Sequence, residues 1–142
     1  MSREIIFRGK SEVTNEWVYG SLVKVGNESH IVGFDEVDLD GHHLSYCSDR
    51  PIFTKQGTIG QFTGLHDKNG KEIYEGDIVQ MHIENGNILL VVTWNLEVGA
   101  WLLKLKGCNI EGVRTLGEWL RDSSSVIQVV GNIYDNPELL EE

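Results

Sequence analysis

The residues best equipped for chemistry sit in three kinds of cluster. The first is the acidic run Asp35-Glu36-Val37-Asp38-Leu39-Asp40-Gly41. A calcium loop of the EF-hand kind needs oxygen ligands at alternate positions, glycine at the sixth and a bidentate glutamate at the twelfth. With Gly41 as the sixth residue, Glu36, Asp38 and Asp40 fall on ligand positions, but the twelfth is Cys47. No helical pattern flanks the run, so it reads as a solvated acidic loop. The second kind is histidine. His42 and His43 are adjacent, so in a strand they point to opposite faces. His30, His66 and His82 stand alone, and no H-x-x-x-H, C-x-x-C or H-E-x-x-H spacing occurs. No metal ligand set follows, and a metal-dependent hydrolase would have to assemble one from scattered His and Asp residues.

Catalytic signatures are equally sparse. The chain has no G-x-S-x-G elbow, no G-x-x-x-x-G-K-[ST] loop and no G-x-G-x-x-G turn. Cys47 and Cys108 lack a neighbouring group that would stabilise a thiolate. Glu75 and Asp77 share one side of a strand, yet their place beside Gly76 suits a turn anchor better than an acid–base pair. No catalytic residue, no cofactor and no enzyme activity are expected. The third kind of cluster, aromatic, offers a binding surface instead. Trp94 closes one strand and Trp101 opens the next, and Tyr74 joins them as a candidate partner-binding residue. In a small fold such residues more often belong to the core.

Charge narrows the class of partner. Twelve Lys and Arg against 22 Asp and Glu give a net charge of −10. Affinity for nucleic acid comes largely from cations that neutralise phosphates, so an acidic chain favours a protein partner or self-association. A nucleic-acid module remains the alternative, through a local basic face built from Arg3, Arg8, Lys68, Lys71, Lys104 and Lys106. The opening Met1–Arg8 is broken by charge, and no stretch reaches the roughly 20 apolar residues of a spanning helix. A cytoplasmic protein with two reduced thiols is therefore expected, with no membrane association.

The elements that must position these groups are mostly strands. Ile5–Phe7, Trp17–Val25 and His30–Phe34 suggest a meander turning at residues 26–29, and His43–Cys47 a further short strand. Ile78–Ile83 and Ile88–Trp94 flank Asn85-Gly86, the strongest short-range hairpin signal. Trp101–Leu105 and Val126–Val130 add two more. Thr115-Leu116-Gly117-Glu118 has the spacing of a capping box and predicts a short helix that turns Trp119 and Leu120 inward. Asn136-Pro137-Glu138 starts a second helical turn.

Three stretches then carry a family resemblance. They are Arg3–Lys10 with Trp17-Val18-Tyr19-Gly20, the long run Ile59–Val79, and Val130–Leu140. In this order they resemble the YopX family of bacteriophage and prophage proteins, with His66 departing slightly from the pattern. The family has no established activity. What the resemblance implies is a mostly β protein with an SH3-like barrel over the C-terminal half and an N-terminal strand-rich lobe. That is either one unit over residues 1–142, or lobes over 1–57 and 58–142. It also implies a phage or prophage accessory protein in the bacterial host.

Overall fold

The computed structural model describes residues 3–33, 51–106, 111–122 and 126–141. The acidic run, His42, His43, the expected strand at 43–47, Cys47 and Cys108 lie outside them. The chain forms two compact units, 1–62 and 63–142. Both are built mainly from antiparallel strands.

In the first unit, β1 (Phe7–Lys10) pairs with β2 (Trp17–Val25), which turns into β3 (Glu28–Gly33). Val25 faces Glu28, so the turn is only Gly26-Asn27, and its one positive φ belongs to Gly26 at 66°. Glycine at the first central position of a two-residue loop suits the right-handed twist of the strands. The other edge of β1 takes up the start of β4 (Gly60–His66), with Arg8 opposite Gly60. Fully buried Thr54 stitches β3 to the segment beneath it: its hydroxyl accepts from Ile31 N–H and donates to the Ile52 carbonyl. His30, 2% exposed, accepts from Thr54 N–H at Nδ1 and meets Glu28 through Nε2, both at 3.1 Å.

β4 runs on into the second unit, where β5 (Glu72–Tyr74) lies beside it. The main sheet follows: β6 (Asp77–Ile83), β7 (Gly86–Asn95), β8 (Ala100–Leu105), β9 (Glu111–Thr115) and, after the helix, β10 (Val126–Asn132). Its order is β10-β6-β7-β8-β9, an open sheet with β10 and β9 at the edges. One face carries the core of Ile73, Val79, Met81, Leu90, Val92, Leu103, Leu116 and Ile127. Each such side chain contributes about 1.5–3 kcal/mol on burial, and this burial is the main force holding the sheet. Leu116 arrives from α1 (Leu116–Arg121), whose N-cap Thr115 accepts from Glu118 N–H at 3.1 Å. Trp119 and Leu120 pack against the core, as their spacing predicts. Only the threonine half of the expected box is made there; the Glu118 carboxylate lies 4.0 Å from Arg114. A 3₁₀ turn, Pro137–Leu140, closes the chain's described part.

The hairpin at Asn85-Gly86 forms, but its geometry differs from the expected one. Ile83 pairs with Gly86, so the two turn residues are Glu84 and Asn85, and Gly86 alone has a positive φ, 136°. The Asn-Gly signal puts Gly86 inside the turn; the register makes it the first residue of β7. No helix among the described residues is long and apolar enough to cross a membrane.

Candidate functional site

Asp67, Asp77 and Asn132 are three of the buried polar side chains in the family-like stretches, and the structure shows what they do. Asp67 is 7% exposed. Its Oδ1 accepts from the N–H groups of Asn69 (2.8 Å) and Lys71 (2.9 Å), and its Oδ2 from Val129 N–H (2.9 Å). Burial raises the carboxyl pKa, but the three N–H donors and the Lys71 charge together outweigh it, and the pKa lies below 3.8. Lys68 N–H also donates to the Ile127 carbonyl, so the 67–71 turn covers the open edge of β10. An unpaired edge is a template for aggregation, and this turn blocks it.

Asp77, 2% exposed, accepts from Tyr74 N–H at 2.7 Å and so anchors the bend at Gly76, the structural role its position suggests. Gly76 has φ 87°, donates to the Val92 carbonyl and accepts from Ile133 N–H. Asn132 accepts from the N–H groups of Tyr134 and Asp135, while Asn136 Oδ1 accepts from Asn132 N–H. These carboxylates and amides are thus tied to backbone donors. Among the described residues, no group of three His, Cys, Asp or Glu side chains is placed to hold a metal ion.

The three aromatic candidates separate. Tyr74 is 3% exposed, with its hydroxyl donating to Glu72 at 3.0 Å, so it belongs to the interior rather than to a surface patch. Trp94 and Trp101 come together. They face each other across β7 and β8, edge to face with centroids 4.8 Å apart. Trp101 leans on the core, whereas Trp94 is 42% exposed. Beyond them the loop presents Leu96 and Val98, 88% and 64% exposed. Asn95 holds that loop in shape: its Oδ1 accepts from Glu97 N–H and Val98 N–H, and its carbonyl accepts from Gly99 N–H. Sequence reasoning singles out the tryptophans and misses Leu96 and Val98. Two aliphatic residues in a turn between tryptophans, behind an asparagine able to form an Asx turn, are the signal that points to them.

The basic residues of the nucleic-acid alternative are divided between the two units. Arg3 and Arg8 belong to the first unit and the four lysines to the second. Arg8 is 7% exposed, with its guanidinium 4.5 Å from the centre of the Trp17 ring. Lys106 donates to the Glu141 carbonyl.

The model of the YopX protein family matches residues 6–141 of this sequence. The chain belongs to the YopX family. Among solved structures it is similar to protein EF1440 from Enterococcus faecalis, a crystal structure, with 23% identity and a TM-score of 0.61. That likeness covers 99% of this chain and 100% of the other. At that identity it speaks for the fold alone. No curated protein matches. In this YopX chain the stretch Ile59–Val79 contains both the edge-covering turn and the Gly76 bend, and Val130–Leu140 contains the Asn132 turn.

Proposed function

We propose that this YopX protein is a non-catalytic phage or prophage accessory protein that acts in the bacterial cytoplasm by docking a host or phage protein on the β7–β8 tip. The observation that carries the reading is the tip itself: Trp94, Leu96 and Val98 exposed together on a loop stiffened by Asn95. Apolar side chains held out on a preorganised loop cost little ordering entropy on binding, and tryptophan is the strongest interface anchor. Charge indicates the partner's chemistry. Residues 63–142 hold thirteen acidic against six basic side chains, a net −7. A cleft with an apolar floor and a basic rim complements that, whereas a second copy brings like charge. The same reading takes the β6-β7-β8 meander, with β10 beside β6, as the framework of an SH3-like barrel; its support is the strand order.

The test is affinity purification of the tagged protein from host cells, with and without nuclease, using the native chain and Leu96→Asp. A partner that survives nuclease, is lost with Leu96→Asp and binds the purified chain directly supports docking at the tip. A dimer in sedimentation that dissociates with Leu96→Asp would assign the tip to self-association. Partners that disappear with nuclease, or bind both versions equally, overturn the reading.

A further inference from the structure

The sheet face opposite the core holds a second feature, independent of the tip. Strand alternation puts Gln80 and His82 of β6 on that face, because Val79 and Met81 point into the core. Register does the rest. Gln80 stands opposite Gln128 of β10, and His82 stands between Asn87 of β7 and Val126 of β10. Lys68 joins them from the turn that clasps the β10 edge. These six residues line a groove of about 350 Å³, within the size range of small-molecule sites.

Its chemistry runs against the rest of the unit. In a region of net −7, the described residues lining this groove include no carboxylate. They offer instead an ammonium, two glutamine amides, an asparagine amide and an imidazole. The Asn87 amide oxygen sits 2.9 Å from His82 Nδ1, which makes that nitrogen the donor of the pair. The adjoining groove, which shares Lys68 and Val126, does contain Asp67 and Asp122. Both are engaged, Asp67 with backbone N–H groups and Asp122 with Arg114 at 3.1 Å. Lys68 itself makes no ion pair among the described residues. Donors without acceptors of their own charge, gathered in a concave site, match an anion with several oxygens.

The geometry points to an oxyanion-binding site in this groove, taking the phosphate or carboxylate group of a small molecule, with Lys68 as the charge partner and Gln80 and Gln128 as orienting donors. Two-dimensional amide NMR of the full chain tests it. Inorganic sulfate is titrated against a chloride control at matched ionic strength, and inorganic phosphate and citrate follow to distinguish the two sources of the group. Saturable shifts confined to residues 68, 80, 82, 87, 126 and 128, absent with chloride, are expected. Lys68→Glu should weaken sulfate about tenfold or more, the scale of one lost charge-assisted hydrogen bond. Gln80→Leu should weaken it less while leaving the rest of the spectrum in place, which separates binding from folding. Scattered or non-saturating shifts, equal shifts with chloride, or unchanged affinity in Lys68→Glu would overturn the assignment.

Discussion

Replacing Asp67 with alanine removes one acceptor group from three backbone donors at once. Asn69 and Lys71 N–H lie in a turn and can turn to water, so each loses roughly the 0.5–1.5 kcal/mol net value of a hydrogen bond. Val129 N–H lies on β10 under the turn, and leaving it without an acceptor costs about 1–3 kcal/mol. Part of the sum returns because a buried carboxylate no longer has to be desolvated, so a loss of about 2–4 kcal/mol is expected at neutral pH. The sign of the pH dependence follows from the direction of the pKa shift. Asp67 is held below 3.8 in the folded chain, so its contribution is fully present above that value and is lost as pH falls through the folded pKa. Asp67→Asn keeps one acceptor oxygen but has nothing to titrate. Its deficit relative to the native chain should therefore be largest near neutral pH and shrink in acid. Urea unfolding followed by tryptophan fluorescence reports mainly on the second unit, which holds Trp94, Trp101 and Trp119, while Trp17 is in the first. A loss under about 0.5 kcal/mol for Asp67→Ala, or an Asn deficit that does not change between neutral and strongly acidic solution, refutes the assignment of Asp67 as the clasp of the β10 edge.

Two further outcomes follow from local geometry. Gly76→Ala combines a positive φ of 87° with a new Cβ 3.2 Å from the Tyr134 ring, whereas Gly70→Ala, at φ 80°, meets only open space. Thermal unfolding should show Gly70→Ala costing about 1 kcal/mol and Gly76→Ala distinctly more, and equal costs would mean that the ring contact yields freely. His30→Ala strips Thr54 N–H of its acceptor and removes the ring that meets Phe53 edge-on at 5.3 Å. Hydrogen exchange at Thr54 should accelerate by about two orders of magnitude for a loss near 3 kcal/mol, and unchanged protection there would show that the histidine is not the bond's anchor.

Period-two patterning makes most of the strands readable in the amino-acid order itself. Ile88–Trp94 reads as a strand because β-branched and aromatic residues recur there between turn signals. Alternation in β6 is imperfect because Ile78 is fully buried on the face opposite Val79, so both faces of that strand begin apolar. Register is not legible in this way. Whether Gly86 lies in the turn or opens β7 depends on which pairing buries Leu90 and Val92, a comparison between strands rather than a property of one. The groove is hidden for the same reason: Gln80 and Gln128 are forty-eight positions apart in number and become neighbours only through the β10–β6 ladder. Tyr74 looks like Trp94 in the sequence. What separates them is that one follows the buried Ile73 into the interior, while the other approaches the end of a strand at the open tip.

The family resemblance has a physical content that bears on where function should be sought. Asp67, Asp77 and Asn132, three buried polar side chains of the two longer stretches, are all occupied with backbone N–H groups at an edge, a bend and a turn. Such residues define an architecture, because replacing any of them leaves backbone donors without acceptors. Their oxygens are committed to holding the chain rather than a ligand. Trp94, Leu96, Val98, Gln80, His82 and Gln128 lie outside those stretches, at the tip and along the groove, while the groove's Lys68 lies within Ile59–Val79. A YopX chain that keeps the Asp67, Asp77 and Asn132 contacts but exchanges the β7–β8 tip should therefore fold as this one does and bind something else. Grafting a polar loop of equal length between Trp94 and Trp101, with Asn95 and Gly99 retained, makes that separable. Stability unchanged within about 0.5 kcal/mol with the partner lost places recognition in the tip, and a fold that collapses shows the tip to be part of the core instead.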